Sequence, residues 1–450
     1  MKKLNLVGAS LLLVLLTGAF IATPAHKTSF LPNTSPQAGP GDMELCPPLP
    51  APTGNIVNVS SVSQLENAVN TASSGDTILI ADGTYNLNGV YLRIDTPNVT
   101  LRSASGNRDA VLLDGNYLTT EIIQVVASNV SIADLTLQKA VDHPIHIMTN
   151  GSTITNPFIY NVHIIDPGEQ AIKINPAGSG YLDDGIIACS HIELTDAGRP
   201  HVESSPPCYT GGIDGHYARR WIIRDNFIEG FWCPTGLSEH GIHLWVNSSD
   251  TMVERNRLFN NARGIGFGLG TSGHTGGTIR NNMVHVIQDV GIGLESSPNT
   301  RVYNNSVYTG NGYSNSIEYR FSATSNVEII NNLTNRAIAS RDGGSGVVQN
   351  NIINAQSSWF VSATTGDLHL ISDSISSVID QAQTLTDVTD DFDGSSRPIG
   401  SANTYTATLA YGGGTIYFAL KTEGVGGESA LSNNAFWPRR EVYLPVVLKN

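Results

Sequence analysis

The stretch RNNMVHVIQDVGIGLE, residues 280–295, decides the fold. It joins two short motifs. One is an Asn pair followed by apolar residues (Asn281, Asn282, Met283, Val284). The other is a small residue, an Ile, a variable position and a second apolar residue (Gly291, Ile292, Gly293, Leu294). Both recur along the chain. The first returns as RDNFI, ERNRL, YNNSV, INNLT and QNNII. This aligns Asn226, Asn256, Asn282, Asn305, Asn332 and Asn351 at spacings of 30, 26, 23, 27 and 19 residues. The second returns as AIKIN, GIDGH, GIHLW, GIGFG and SIEYR, in step with the first. Each period holds about three short strands and no helix. A chain of this kind coils, buries Ile and Val inside, and stacks equivalent positions from turn to turn. The stacked Asn are expected to share amide hydrogen bonds with the turn backbone inside the coil.

The ends read differently. Residues 1–25 carry Lys2 and Lys3, an apolar run and then small residues, the pattern of a secretory signal peptide, with an uncleaved membrane anchor as the alternative. No later segment is long and apolar enough to span a bilayer. Residues 26–54 are Pro-rich and unpatterned and are expected to be a linker. In SVSQLENAVNTA (61–72), Leu65, Ala68, Val69 and Ala72 share one helical face, with Ser63 and Glu66 as the expected capping box. The coil is expected over residues 55–400 with a C-terminal cap. Residues 401–450 are expected to form a short β tail resembling the last strands of a fibronectin-type sandwich, ending in a segment suited to sorting or anchoring.

The formal charge is −14, and loss of two lysines with residues 1–25 makes it −16. That surface is a poor nucleic-acid binder. It suits a secreted or cell-surface monomer with no stable membrane insertion. The four cysteines have no zinc-site spacing, and export permits disulfides. Two long loops, 194–211 and 229–240, lead into neighbouring strands and hold Cys208 and Cys233, which are expected to pair. Cys46 and Cys189 are then left over, and a pairing between them rests on that remainder alone.

The repeat pattern over roughly residues 55–370 resembles the right-handed parallel β-helix of the pectin-lyase-like superfamily. LENAVNTASSGDTILIADGTYNL (65–87) with VTLRSASGNRDAVLLDG (99–115) is similar to the start of the chondroitinase B and alginate lyase type of polysaccharide lyase. The resemblance implies an all-β single solenoid with a short N-terminal capping helix. It also implies a polysaccharide partner, an anionic one where it is uronate-based, and chemistry by a Lys and an Arg on one sheet, with calcium as a frequent cofactor. The superfamily also holds glycosidases, epimerases, esterases and non-enzymatic spikes.

Stacking the Ile-containing strands gives columns. Ile172/Ile174, Ile242/Leu244, Ile265/Phe267, Ile292/Leu294 and Ile317/Tyr319 are expected inside. The flanking columns are expected outside. The first is small: Ala171, Gly212, Gly241, Gly264, Gly291, Ser316. The second reads Lys173, Asp214, His243, Gly266, Gly293, Glu318. The third reads Asn175, His216, Trp245, Gly268, Glu295, Arg320. Ionisable and aromatic groups thus flank a glycine floor on which a sugar ring can lie. A mutually satisfied surface row is the bland alternative.

Three functions fit these columns. The first is β-elimination on a uronate polysaccharide. It needs a cation on the substrate carboxylate, a base for C5–H and an acid for the leaving oxygen. Lys173 is a candidate neutraliser or base tuned by Asp214, and His216 and His243 are base and acid candidates. Trp245 is a candidate sugar platform, Arg320 a carboxylate clamp, and Asn175 a binding group. Lys173 and Arg320 lie ~24 Å apart at ~4.8 Å per coil, too far for one catalytic pair, so Arg263, Arg219 or Arg220 is the candidate for the near cation. Glu239 and His240, just before the strand, either reach the site or cap the loop. The second function is inverting hydrolysis by Glu295 and Glu318, offset by about 8 Å. The third is glycan binding without catalysis.

Overall fold

The computed structural model describes residues 45–204, 208–310, 312–371 and 375–397, together with the backbone of short strands between 416 and 437. The expected signal peptide and most of the expected linker lie outside these residues, as do the side chains of the tail. Within the tail, Ile416–Leu420 pairs antiparallel with Ser432–Trp437.

The chain is a parallel β-solenoid. A 12-stranded sheet runs from Ile56–Val59 to Gly346–Gln349, and two ten-stranded sheets run from Leu92–Ile94 to Ala337–Arg341 and from Gly83–Asn86 to Leu333–Thr334. A five-stranded sheet, Ile154–Thr155 to His274–Thr275, widens the middle coils. Apart from the first two strands, Ile56–Val59 and Thr77–Ile80, paired strands are not neighbours in sequence; each pairs in parallel with its counterpart one coil on. The inside is one continuous column of aliphatic side chains, including Ile172, Ile213, Ile242, Ile265 and Ile292, all fully buried. Each such side chain contributes roughly 1.5–3 kcal/mol.

The Asn pairs are explained residue by residue. The first member of each pair takes a left-handed conformation (Asn281 φ 55°, Asn304 φ 53°, Asn331 φ 61°), which turns the chain between two sheets. Asn tolerates this region better than most residues, which is why the position favours it. The second member points inside. Asn226, Asn256, Asn282, Asn305, Asn332 and Asn351 form an unbroken row, with each Nδ2 donating to the Oδ1 of the next at 2.9–3.0 Å. Each also donates to a backbone carbonyl of the preceding coil, as Asn282 does to Val253 O at 2.9 Å. The row ends at Ser190, whose N–H donates to Asn226 Oδ1.

Two expectations are corrected. The small column does not face outward. A Cβ on Gly212 would meet Ile228 at 2.8 Å, one on Gly264 would meet Val284 at 2.5 Å, and one on Gly291 would meet Val307 at 2.2 Å. These positions sit in the inner corner between two sheets, and crowding there excludes larger side chains. The bend turns the preceding residues (Gln170, Gly211, His240, Arg263) toward the outer face instead. The helix, Val62–Asn70, is capped by Ser61, whose Oγ accepts from Gln64 N–H while Gln64 Oε1 accepts from Ser60 N–H, in place of the expected capping box of Ser63 with Glu66. Ser61 is extended, so the helix starts two residues earlier than expected. Its buried Leu65, Ala68 and Val69 close the first coil.

Both disulfides form, Cys208–Cys233 and Cys46–Cys189. The second holds the end of the expected linker on the outside of the 12-stranded sheet, where Tyr160 Oη donates to Pro47 O and Arg102 donates to Pro50 O. Residues 357–397 cap the last coil through a separate core that includes Phe360, Leu368, Leu370 and Val378.

Candidate functional site

The sheet from Leu92–Ile94 to Ala337–Arg341 carries the site on its outer face. Its central outward row is longer than the sequence motif showed. Arg93, Gln124 and His146 precede Lys173, Asp214, His243, Gly266, Gly293 and Glu318 in register. His146 lies in PIHIM, where Pro144 replaces the small residue that defined the motif, so the alignment passed over it.

The row is outward but not wet. Lys173, Asp214, His243 and Glu318 are all buried, and His243 is fully so. The long loops make the roof. Arg199, on a short helix at Arg199–Ser204, donates to the carbonyls of Gly230 and Trp232 and stacks on the Trp232 ring, and Cys208–Cys233 fixes the same two loops. Tyr209, next to Cys208, is thereby placed 5.9 Å (ring centroid) from the Lys173 ammonium. Sequence reasoning missed Tyr209; its position between a paired cysteine and a groove strand was the available signal.

Asp214 is the hub. It accepts from Lys173 Nζ on the previous coil and from Trp245 Nε1 at 2.8 Å on the next. His216 Nε2 lies 3.3 Å from its Oδ2, and His243 Nδ1 lies 3.4 Å from its Oδ1. Burial alone would raise this carboxyl, but the imidazoles of His216 and His243 close to it and the Lys173 charge hold it well below the usual range. Burial would likewise lower Lys173, but the Asp214 carboxylate outweighs it and keeps the ammonium charged above the ordinary lysine range.

His243 is held between Asp214 and Glu239 (3.3 Å), and its Nε2 faces Gly268 O at 3.2 Å. Burial opposes its charge, yet the two carboxylates push it up to about 9, so it is an imidazolium at neutral pH. It has no access to a substrate, which corrects its expected role as acid or base. Glu239 is bound in turn by Arg263 at 3.3 Å, and Arg263 Nε donates to Ser238 O. Of the candidate near cations, only Arg263 is on the groove; Arg219 and Arg220 fork onto Asp183 and Asp184 on the five-stranded sheet. His240 lies over Gly266, where a Cβ would come within 2.7 Å of its ring. Burial, followed by Arg263 and His243, pushes it well below the usual range, so it is neutral.

Beyond His240 the glycine floor opens into a cleft of about 380 Å³ over Gly268 and Gly293, walled by His240, Arg263, Asp289, Tyr313 and Arg320. The cleft adjoins the Asp214 hub and does not include it. Glu295 and Glu318 lie at its far side, each tied down. Glu295 pairs with Arg320 at 3.1 Å and accepts from Gly270 N–H. Glu318 pairs with Arg341 at 2.9 Å and accepts from Tyr313 Oη at 2.6 Å and from Asn315. Arg320 is further shared with Asp342. An inverting pair needs a carboxylate free to activate water, and neither of these is free. Asn175, expected to bind substrate, has its Oδ1 engaged by His146 Nε2.

Calcium, which the family resemblance suggested, takes six to eight oxygen ligands. Among the described residues, the carboxylates that cluster on this face do so with imidazoles, and Asp183 and Asp184 are neutralised by arginines. These residues do not fit calcium.

The fold and face define a right-handed parallel β-helix with a roofed, ionisable groove. The family model for the right-handed β-helix region matches residues 145–333. No curated protein sequence matches the chain. Among solved structures, the chain is similar to an alginate lyase from Paenibacillus sp. str. FPU-7 at 16% identity and TM-score 0.46, covering 65% of this chain and 99% of that one. It is similar to the GH136 lacto-N-biosidase from Eubacterium ramulus at 12% identity and TM-score 0.47, covering 67% and 68%. It is also similar to the pectate lyase Pel9A at 14% identity and TM-score 0.47, covering 83% and 93%. Among the described residues, no helix is long and apolar enough to cross a membrane.

Proposed function

We propose that this is an exported polysaccharide lyase that cleaves a uronate-containing polymer by β-elimination at the Asp214 hub. The observation that carries the reading is the set of partners on that one carboxylate. Asp214 keeps Lys173 charged and at the same time faces Nε2 of His216. When His216 is neutral and donates Nε2–H to Asp214, its Nδ1 lone pair is left for a substrate proton.

The chemistry follows. The uronate carboxylate lies against the Lys173 ammonium, which stabilises the charge that develops when C5–H is broken. His216 Nδ1 takes the C5 proton. The electron pair forms the C4–C5 double bond, and the C4–O bond breaks. Tyr209 Oη gives its proton to the departing oxygen. Trp245, edge-on to His216 at 4.6 Å between ring centroids, offers the apolar face for the neighbouring sugar. The cleft over Gly268 and Gly293 takes the sugar beyond, and Arg263 serves a carboxylate there. His243 and Glu239 are positioning residues that hold Asp214 and the roof. The two disulfides and the acidic charge support an extracellular location.

The test is ultraviolet absorbance during incubation with alginate, pectate, chondroitin and dermatan sulfates, heparan and hyaluronan. A rise from unsaturated uronate ends on one of these polymers is the expected result. New reducing ends without that absorbance would overturn elimination in favour of hydrolysis. Binding with neither product would leave a glycan-binding protein.

A further inference from the structure

The outward row has a second cluster one coil before Lys173, which the elimination chemistry does not use. It holds Glu121, Asp142, His143, His146 and Glu169. Glu121 and His143 are buried, and the other three are half-buried. The feature to explain is the direction of the ring nitrogens.

His143 Nδ1 faces the carbonyl of Gln170 at 3.0 Å. A carbonyl only accepts, so Nδ1 carries the proton and Nε2 presents a lone pair. That lone pair points toward a carboxylate, Glu169 Oε2, at 3.6 Å. His146 is held at both nitrogens: its Nε2 faces Asn175 Oδ1, and its Nδ1 shares a hydrogen bond with Glu121 Oε1 at 2.5 Å. His143 thus presents a lone pair to a carboxylate, which is repulsive unless a cation lies between. Lys173 does not serve there, being bound to Asp214. A metal ion that displaces the proton shared by His146 and Glu121 meets both of them as ligands. The carboxyl group of Asp142 has no hydrogen bond or ion pair among the described residues; only its backbone is engaged, with Thr120 and Glu169. One ligand atom from each of Glu121, His143 and His146 lies within 4.8 Å of the others.

We infer that Glu121, His143 Nε2 and His146 Nδ1 bind a divalent transition-metal ion of the zinc class, with Glu169 as a fourth ligand. Two imidazoles with carboxylates suit such ions, and calcium's preference for oxygen ligands does not suit this set. The acceptors behind each imidazole, Gln170 O and Asn175 Oδ1, are the kind of outer partners that orient metal-binding histidines. The alternative cluster at Glu239, His240 and His243 is excluded by Arg263, which is already seated on Glu239. The one at His163, His191 and Glu193 has each imidazole paired with a Glu on the next coil at 2.8–2.9 Å, and it serves as the control. This site stands apart from the reaction assigned to His216, because metal binding can be read without substrate.

The experiment is calorimetric titration of metal-free, full-length protein with Zn²⁺, paired with Co²⁺ absorption spectra. Wild type is expected to bind one equivalent that millimolar Ca²⁺ does not displace, with a ligand-field spectrum showing nitrogen ligation. Glu121→Gln and His143→Ala should each weaken that equivalent at least tenfold, while His191→Ala leaves it unchanged. Circular dichroism of the metal-free variants establishes that they are folded. Absence of a stoichiometric Zn²⁺ site in folded wild type would overturn the inference. So would loss of the site in His191→Ala with retention in the folded Glu121→Gln and His143→Ala variants, or displacement of Zn²⁺ by Ca²⁺.

Discussion

Two rows run along the same coils and differ in kind. Inside, Asn226 to Asn351 repeat one residue six times, and every amide both donates and accepts at 2.8–3.1 Å. Outside, His146, Lys173, Asp214, His243, Gly266, Gly293 and Glu318 change from coil to coil except at the two glycines. The inner row is closed: nothing is left over for a ligand. The outer row concentrates several donors on Asp214, leaves His216 Nδ1 uncommitted, and one coil earlier sets a lone pair of His143 against Glu169. A stacked row of identical, satisfied groups stabilises a coil. An aperiodic, over-committed row on the same scaffold identifies the place where chemistry is done.

Changing Asp214 should have the largest effect. Asp214→Ala leaves the Lys173 ammonium and the His243 imidazolium buried without their shared partner. It should cost about 3–5 kcal/mol of stability, the range for breaking a buried ion pair, and abolish turnover as well. Urea denaturation checks the first, and an unchanged midpoint would mean that Asp214 is not the hub described here. Asn282→Ala breaks the inner row at its middle. It removes the acceptor of the Asn256 backbone N–H and the amide donor to the Val253 carbonyl, at about 1–3 kcal/mol for each buried group left unsatisfied. The same denaturation series should show this loss while turnover below the melting temperature stays at the wild-type level. A fall in turnover equal to that of an outer-row variant would erase the distinction between the rows.

The pH dependence separates the rows without mutation. His243 and His369 are each pushed up to about 9 in the folded protein, from about 6.5 when unfolded. His369 lies in the cap between Asp367 and Asp393 at 2.6 and 3.2 Å. A raised folded pKa stabilises the fold fully below the unfolded value, and that stability is lost as pH rises through the folded one. The melting temperature should therefore fall between pH 7 and pH 10, by less in His369→Asn than in wild type. A flat profile would show that these imidazoles are not charged. The Asn row contributes nothing to this profile. The smallest effect expected is on binding: Cys208→Ser with Cys233→Ser loosens the roof over Tyr209 and Lys173, and should raise KM more than it lowers kcat. An unchanged KM would show that Arg199 alone holds the loops.

Much of this was legible in the sequence because the solenoid repeats. The Asn spacing and the Ile pattern set the coil, the inner columns and the glycine floor, and the two long loops with one cysteine each indicated the roof. What escaped has a physical cause. The small column turns inward because the chain bends at a sheet corner, which strict alternation does not anticipate. His146 hid behind Pro144. The burial of His243 depends on loops whose path no local pattern encodes. The neutralisation of Glu318 depends on Arg341 arriving from the next coil, which needs the register as well as the motif.

The most direct test of the central claim is the rate of unsaturated-uronate formation by His216→Ala against wild type, on the polymer wild type cleaves, at a temperature where both are folded. The side chain of His216 is one-fifth exposed, and its polar and ring contacts among the described residues are with Asp214 and the edge of Trp245 alone, so stability should hardly change. Loss of a positioned general base should slow turnover by about 10²–10⁴-fold. Turnover at the wild-type rate in folded His216→Ala would contradict the assignment of the Asp214 hub as the reactive centre.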